Sequence, residues 1–190
     1  MGEVGEWRHL CVDMQRMFAE DTPWHVPWMA RISPQIEELA GRHPAQTIFT
    51  RFLPPERADD MPGKWRDYYR KWWMMTGEHL PCGFIDLASS LASLVPPARH
   101  FDKPWIDGRL HPILQSERVD TLVITGGETD VCVLATTLGA IDLGYRVIVL
   151  RDAVCSGADD THDASLELLH DRFSVQLELM KTEEFLSEVG

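Results

Sequence analysis

Short apolar runs bounded by turn residues alternate along this sequence with segments of helical periodicity. Runs of this length that are rich in β-branched residues are typical of strands buried in a parallel sheet. The predicted strands are Trp7–Val12, Thr47–Thr50, Ala98–Phe101, Thr121–Thr125, Arg146–Leu150 and Phe173–Leu177. The predicted helices are Pro34–Gly41, Gly63–Thr76, Arg109–Ser116, Asp130–Gly144, Asp160–Asp171 and Thr182–Val189. This alternation predicts an α/β fold: a doubly wound, Rossmann-like, mostly parallel sheet with helices on both faces.

The length and the charge of the chain narrow the classes of protein to which it can belong. Its 190 residues, of which 44% are hydrophobic, suit a single domain over residues 1–190. A formal net charge of −12 argues against nucleic acid or an anionic membrane as a partner. No apolar run approaches the roughly 18 residues of a transmembrane helix, and the acidic start lacks the pattern of a signal peptide. We therefore expect a cytoplasmic protein whose four cysteines are reduced.

Two proline-bearing insertions, residues 14–33 and 51–97, interrupt the alternation. The second insertion holds five aromatic residues within nine positions, namely Trp65, Tyr68, Tyr69, Trp72 and Trp73. This aromatic segment has two open interpretations: a helix that packs on the sheet or on a partner subunit, and a lid or wall of a pocket. Long insertions in a compact domain are often functional.

Three residues with reactive side chains follow predicted strands. Asp13 follows the first strand, Lys103 follows Ala98–Phe101, and Cys132 lies just after Thr121–Thr125. Ligands of open α/β sheets bind beyond the carboxyl ends of the strands, where the strand order reverses. Each residue also has an ordinary structural interpretation: Asp13 as a cap of the following loop, Lys103 as a solvated lysine, and Cys132 as a packing residue.

Cys132 has the strongest local argument for reactivity. Two glycines, Gly126 and Gly127, end the preceding strand and allow a tight turn, and Thr129 is a suitable N-cap for the next helix. This arrangement predicts Cys132 at the third helical position, where free N–H groups and the helix dipole lower the pKa of a thiol. The same N–H groups could hold an oxyanion.

Taken together, these residues resemble the isochorismatase-like cysteine hydrolases, which include nicotinamidases, N-carbamoylsarcosine amidases and ureide or biuret hydrolases. The resemblance extends from about residue 7 to about residue 180. It is carried by Asp13-Met14-Gln15, by Lys103, and by the pattern Gly126-x-x-Thr129-Asp130-x-Cys132-Val133-x-x-Thr136. The pattern around Cys132 is the most specific of the three.

The resemblance implies a six-stranded parallel sheet and assigns roles to particular residues. Asp13, Lys103 and Cys132 would form a catalytic triad. The bond between Gly127 and Glu128 would be a cis peptide, which would aim the N–H groups of Glu128 and Cys132 at an oxyanion.

The reaction implied is hydrolysis of a small amide, carbamoyl or ureido C–N bond through a Cys132 thioester intermediate. In this scheme Asp13 takes the thiol proton and later protonates the leaving amine. Two alternatives remain open. One is enol-ether hydrolysis of the isochorismatase type, and the other is a non-catalytic α/β binding module with a degenerate site.

The substrate-binding candidates lie in the insertions and beside Asp13: Gln15, Trp24, His25, Trp28 and Trp72. Gln15 is expected to orient either a loop or the substrate. Metal-dependent nicotinamidases carry an Asp-x-His pattern and further histidines after the second strand, where this chain reads Thr50-Arg51-Phe52-Leu53. We therefore predict neither a metal nor a cofactor. The aromatic content of residues 65–73 and the resemblance both predict a homodimer or homotetramer.

Overall fold

The structure, a computed structural model, describes residues 4–94, 100–102 and 108–190. Within these residues, six strands form one sheet in the order β3-β2-β1-β4-β5-β6, and every pairing between neighbouring strands is parallel. The strands are β1 (Trp7–Val12), β2 (Thr47–Arg51), β3 (His100–Asp102), β4 (Thr121–Gly127), β5 (Arg146–Cys155) and β6 (Leu177–Met180). The predicted fold class is confirmed.

Helices connect the strands along the described parts of the chain. They are α1 (Arg16–Ala19), α2 (Met29–Arg42), α3 (Gly63–Lys71), α4 (Leu110–Ser116), α5 (Leu134–Asp142), α6 (Asp159–Phe173) and α7 (Thr182–Val189). Short 3-10 turns cover Ala58–Asp60 and Trp73–Met75, and a single π-helical turn, Thr129–Val133, precedes α5.

Side chains from alternate positions of β1 pack on opposite faces of the sheet. Leu10 and Val12 join a core that includes residues of α4, α5 and α6, whereas Cys11 joins a core that includes residues of α2 and α7. The sheet is therefore covered by helices on both faces, as expected for a doubly wound fold. Among the described residues, no helix combines the length and the apolar composition needed to cross a membrane.

The strand order reverses between β1 and β4, which lie side by side in the middle of the sheet. Their register pairs Trp7 with Thr121 at one end and Val12 with Gly126 at the other. The loop that begins with Asp13 and the loop that leads to Cys132 therefore leave the sheet at neighbouring points. Open α/β sheets bind ligands in the crevice at this switch point.

Gly126 is required where these two strands end. Its φ is +107°, and a Cβ atom at this position would lie 2.1 Å from the carbonyl oxygen of Val12. Only glycine adopts this backbone conformation readily while leaving room for the adjacent strand. Gly126 thus allows β1 and β4 to stay paired up to the point where the two loops diverge.

Several predicted boundaries were wrong. The strand predicted at Phe173–Leu177 lies at Leu177–Met180, because α6 continues to Phe173. Of the strand predicted at Ala98–Phe101, residues 98 and 99 lie outside the described residues, and the described part of β3 ends at Asp102.

Two predicted helices also have different bounds. The helix predicted from Pro34 begins at Met29 and contains Pro34 just after its first turn. A proline at this interior position removes one backbone hydrogen bond, the one that an N–H group there would donate to the carbonyl four residues earlier. The helix predicted over Gly63–Thr76 ends at Lys71 and is followed by the 3-10 turn at Trp73–Met75.

Candidate active site

Asp13 lies at the carboxyl end of β1, where the backbone turns sharply. Its φ is +50°, in the left-handed region that few residues other than glycine adopt, and its side chain is buried. Thr50, near the end of β2, binds both the side chain and the backbone of Asp13. The Thr50 hydroxyl donates a hydrogen bond of 2.7 Å to Asp13 Oδ1 and accepts one of 3.2 Å from the Asp13 N–H group.

Cys132 lies in the π-helical turn that follows β4, and its thiol faces Asp13. Burial raises the pKa of the Cys132 thiol, and the Asp13 carboxylate raises it further through its charge and through hydrogen bonding to the thiol. The charge of Glu128 acts in the same direction, whereas the backbone N–H group of Glu128 lowers the pKa by less. The thiol therefore keeps its proton at neutral pH and has a carboxylate base beside it.

The local prediction for Cys132 was wrong about the N-cap, about the position of Cys132, which is fourth rather than third in the turn, and about the pKa of its thiol. Thr129 is not the N-cap: Glu128 occupies that position, and the Thr129 hydroxyl instead contacts His162 Nδ1 at 2.9 Å. The pKa of the thiol is raised rather than lowered, because burial and the neighbouring Asp13 outweigh the helix N-terminus. A helix-terminal thiol becomes acidic only when the charges around it favour the thiolate.

The peptide bond between Gly127 and Glu128 is cis, as the resemblance implies. Burial raises the pKa of the Glu128 carboxyl, and the charge of Asp130 raises it further, while hydrogen bonding from the Gly157 backbone lowers it by less. A Cβ atom at Gly157 would lie 3.2 Å from Glu128 Oε1, so this side chain rests directly against the turn before α6.

Asp130 connects the Cys132 turn to the start of α6. Its carboxylate accepts hydrogen bonds from the hydroxyls of Ser156 and Thr161. Burial raises the pKa of Asp130, but these two hydrogen bonds, a backbone hydrogen bond and the charge of His162 together outweigh burial, so that the net pKa lies below its ordinary value. The turn that carries Cys132 is therefore fixed to the element that follows β5.

An aromatic wall is built around Trp24, and we define it as Trp24, Phe52, Tyr68, Tyr69 and Trp72. Trp24 is at its centre, with ring centroids 5.9 Å from Phe52, 6.1 Å from Tyr68, 6.4 Å from Tyr69 and 6.2 Å from Trp72. The pKa values of both tyrosines are raised, chiefly by burial and in part by the negative charge that Cys132 carries once its thiol is ionised. The wall therefore lies within electrostatic range of the thiol, as in the pocket-wall interpretation of the aromatic segment.

Three other predicted binding residues, Gln15, His25 and Trp28, lie in different surroundings. Gln15 is fully buried, and its side-chain amide donates to the carbonyl oxygens of Phe52 (3.0 Å) and Ile85 (2.8 Å) and accepts from the Phe52 N–H group (2.7 Å). Of the two roles predicted for Gln15, these bonds to backbone groups fit the orientation of a loop and not the binding of a substrate. His25 is exposed. Trp28 lies against Arg31 and lines a separate cavity of about 390 Å³.

Lys103, the third member of the predicted triad, lies outside the described residues. Its neighbour Asp102 ends β3 and accepts a hydrogen bond of 3.1 Å from Arg51 Nε. No three His, Cys, Asp or Glu side chains within residues 4–94, 100–102 and 108–190 lie together as a set of metal ligands. The triad and the metal-free site both stay predictions.

Sequence reasoning did not identify Thr50 as part of the site. A signal was present, because Thr50 ends a strand that was predicted to lie in the same sheet as Asp13. What was missing was the strand order, which makes β2 the direct neighbour of β1. The complete burial of Tyr69 was also missed, since five aromatic residues in one segment looked equivalent in the sequence.

Comparison with known proteins gives the family of this chain. A thiol beside a carboxylate, at the switch point of a doubly wound sheet, defines a class of α/β proteins with a candidate cysteine nucleophile. The isochorismatase domain matches residues 9–181, and the chain belongs to this family.

Individual relatives share parts of the sequence or the whole fold. The chain is similar to maleamate amidohydrolase of Pseudomonas putida, with 31% identity over 117 residues, which are 61% of this chain and 54% of that relative. The chain thus spans about half the length of this curated relative. A cysteine hydrolase from Pseudomonas syringae pv. phaseolicola has the same fold, with a TM-score of 0.79 and 22% identity over 97% of this chain and 92% of the other. N-carbamoylsarcosine amidase from Thermoplasma acidophilum has a TM-score of 0.72 and 17% identity, over 94% and 98% of the two chains.

Proposed function

We propose that this protein is a cysteine amidohydrolase that cleaves a small amide, carbamoyl or ureido C–N bond through a Cys132 thioester. The observation that carries the proposal is the position of the Asp13 carboxylate against the Cys132 thiol. A buried thiol with a raised pKa is a poor nucleophile until a base removes its proton, and Asp13 is placed to do so.

In the first half-reaction, Asp13 takes the thiol proton as Cys132 Sγ attacks the carbonyl carbon. The C–S bond forms, and the carbonyl electron pair moves onto oxygen, where the N–H groups of Glu128 and Cys132 stabilise the oxyanion. When the oxyanion collapses, the C–N bond breaks. Asp13 returns its proton to the leaving nitrogen, which departs as ammonia or an amine.

In the second half-reaction, a water molecule attacks the thioester carbonyl carbon. Asp13, which is again ionised, takes a proton from this water. The C–S bond breaks, the thiol recovers its proton from Asp13, and the acid product leaves. Lys103 would stabilise the negative charge that Asp13 and Cys132 share during both steps.

The relatives support an amide as the substrate. The similar protein from Pseudomonas putida is named for hydrolysis of an amide, maleamate, and the Thermoplasma acidophilum protein with the same fold is named an N-carbamoylsarcosine amidase. Enol-ether hydrolysis has no use for a nucleophilic thiol, so the Asp13–Cys132 pairing favours acyl chemistry.

The test is a panel of small amides, carbamates and ureides assayed for release of ammonia or amine. Substrates that turn over are then mixed rapidly with the enzyme, quenched in acid and examined by mass spectrometry. We expect an adduct with the mass of the acyl group on the peptide that contains Cys132. Turnover without an adduct, together with full activity of a variant lacking the thiol, would contradict the thioester route and favour the enol-ether alternative.

The same assay tests the proposal that catalysis needs no metal. The enzyme is dialysed against a strong chelator, its metal content is measured by elemental analysis, and turnover is assayed again. We expect unchanged activity. Loss of activity that zinc, iron or manganese restores would show that the loop after β2 has been misinterpreted.

We also propose that the protein forms a homodimer or homotetramer. Large aromatic side chains on the described surface are exposed to water, including Trp65 (48%) and Trp73 (53%). Exposed apolar side chains that cluster on one segment often mark a contact with another chain. Light scattering at micromolar concentration tests this proposal, since a mass of 21.7 kDa would identify a monomer.

A further inference from the structure

Within the described part of the chain, Tyr69 carries a buried hydroxyl without a hydrogen-bond partner. The side chain is fully buried in α3, and no described residue donates to or accepts from its hydroxyl group. Buried polar groups in proteins are nearly always paired, and an unpaired one is costly. A buried hydroxyl without a partner among the described residues is therefore available to pair with a bound ligand.

The position of this hydroxyl points to the candidate active site. The Tyr69 ring lies 6.4 Å from Trp24 and 5.2 Å from Tyr68, both in the aromatic wall. Burial is the main cause of the raised pKa of the phenol, and the negative charge that Cys132 carries once its thiol is ionised contributes to it. The other buried atoms without partners among the described residues, His43 Nε2 and Thr137 Oγ1, belong to other parts of the fold.

The rings that cover Tyr69 are themselves partly open to solvent. Trp65 and Tyr68 contact the Tyr69 ring at centroid distances of 6.2 and 5.2 Å, and 48% and 39% of their surfaces are exposed. Exposed side chains change rotamer within nanoseconds. Rotation of these outer rings would uncover the hydroxyl from the solvent side without moving the sheet.

We propose that the Tyr69 hydroxyl is a specificity-determining group that donates a hydrogen bond to a carbonyl or carboxylate oxygen on the substrate, remote from the scissile amide. This inference rests on the proposed function. It narrows the substrate class to small amides with a second oxygen acceptor. A site built to hydrogen-bond a substrate group strongly rejects analogues without that group, because the protein group is then left unpaired.

Three probe compounds distinguish a carbonyl oxygen from a carboxylate oxygen as the hydrogen-bond acceptor for Tyr69. Succinamide carries a second carbonyl group, and succinamate carries a carboxylate in its place. Pentanamide has neither, and its longer hydrocarbon chain gives it the same number of non-hydrogen atoms along the main chain. Turnover of each is measured for the wild-type enzyme and for Tyr69→Phe. Binding of each is measured by calorimetry with Cys132→Ala, with and without Tyr69→Phe, so that the result does not depend on turnover.

We expect Tyr69→Phe to lower kcat/KM and affinity for at least one oxygen-bearing probe by about 10- to 100-fold. The values for pentanamide should change by less than about twofold, since no hydrogen bond is lost. The probe that is affected identifies the acceptor as carbonyl or carboxylate. An equal loss for all three probes, or no loss for any of them, would overturn the inference.

Thermal unfolding gives a second, independent readout. Tyr69→Phe should keep or raise Tm in the absence of ligand, because it removes an unpaired buried hydroxyl. Tyr145→Phe is the matched control: the Tyr145 hydroxyl lies 2.7 Å from His111 Nδ1, so its loss should lower Tm and leave the substrate preference unchanged. A lower Tm for Tyr69→Phe would reveal a structural partner and overturn the inference.

Failure of the inference is distinguishable from failure of the proposed function. If binding of the oxygen-bearing probes requires Tyr69 but no probe is turned over, the amidohydrolase proposal is contradicted and the proposed role of Tyr69 is supported. If the wild-type enzyme and Tyr69→Phe turn over the probes equally well, the proposed role of Tyr69 is contradicted and the amidohydrolase proposal is supported. Binding that does not favour the oxygen-bearing probes over pentanamide would overturn the inference.

Discussion

The Thr50 hydroxyl and the Asp13 carboxylate are joined by a 2.7 Å hydrogen bond between the ends of two neighbouring strands. The same hydroxyl accepts the Asp13 N–H group, so one side chain holds both the carboxylate and the backbone of the proposed base. Because the Asp13 φ of +50° is unfavourable for a residue with a side chain, this support fixes a conformation that the loop alone would not keep.

Thr50→Val should lower kcat by about 10- to 100-fold while changing KM little, because a hydrogen bond to a charged group is lost where the proton is transferred. Thr50→Ser keeps the hydroxyl and should restore most of the activity. The measurement is steady-state kinetics on any amide that turns over. Equal losses in the valine and serine variants would show that packing, and not the hydrogen bond, is what matters.

Cys132→Ser should lower turnover by at least about 1,000-fold, since a hydroxyl beside Asp13 is a much weaker nucleophile than a thiol. Its free energy of unfolding should stay within about 1 kcal/mol of the wild-type value, because the two side chains are nearly the same size. Ammonia release and urea unfolding are measured together. Cys82→Ser is the control, because Cys82 is exposed and should be dispensable. Retained activity in Cys132→Ser would rule out the thioester mechanism.

Asp13→Asn should abolish turnover and yet make Cys132 more reactive toward iodoacetamide. The charge and the hydrogen bonding of Asp13 both raise the pKa of the thiol, so their removal lowers that pKa and increases the thiolate fraction at pH 7. We expect alkylation to become about tenfold faster or more. Mass spectrometry of the Cys132 peptide follows the rate, and the exposed Cys82 gives a reference in the same digest. Slower alkylation in the variant would mean that Asp13 activates the resting thiol instead.

Gly126→Ala should destabilise the protein by several kcal/mol, on the order of 4, because the new methyl group would overlap the Val12 carbonyl at a positive φ. Gly144→Ala is the matched control. Gly144 also has a positive φ, +87°, but a Cβ atom there meets nothing within 4 Å. Its cost should be only about 1–2 kcal/mol, from backbone strain alone. Denaturant unfolding compares the two variants, and similar losses would contradict the close approach of β1 and β4.

His9 should make folding stability depend on pH. It is fully buried between Thr47 and Thr125, and burial, aided by the charge of His43, lowers its pKa from 6.5 to about 3. Between these values the unfolded chain binds the proton and the folded chain does not. The stabilising contribution is therefore complete above pH 6.5 and is lost as the pH falls toward 3, by about 1.4 kcal/mol per unit.

Urea unfolding at several pH values between 7.5 and 4.5 measures this slope. His9→Gln should flatten the slope, whereas replacement of the exposed His25 by Gln should leave it unchanged. An unaltered slope in His9→Gln would assign the pH dependence to the buried carboxylates instead.

The middle of the sheet was predictable from the sequence, and its edges were less so. β1 has the predicted bounds because its apolar run is buried on both faces and ends at a charged residue. β6 was displaced because Leu177–Met180 is made of residues that favour helices, and only its pairing with β5 makes this segment a strand. Local sequence carries no information about that long-range pairing.

The site was predictable where it depends on strand ends, and much less so where it depends on contacts between distant segments. The positions of Asp13 and Cys132 follow from the switch-point rule. The raised pKa of the thiol does not, because it arises from burial and from a carboxylate more than 100 residues away in the chain. The role of Gln15 likewise depends on two backbone segments that only the fold brings together.

That role of Gln15 has a consequence for protein engineering. Phe52 and Ile85 flank the segment that carries α3 and most of the aromatic wall, and one buried amide binds the backbone at both points. The segment also closes on itself, through hydrogen bonds from Gly77 to Pro55 and from Glu78 to Glu56. Gln15 therefore fixes both ends of residues 53–84 two positions along the chain from Asp13. We expect substitutions on the exposed side of this segment to reshape the aromatic wall without moving the proposed base.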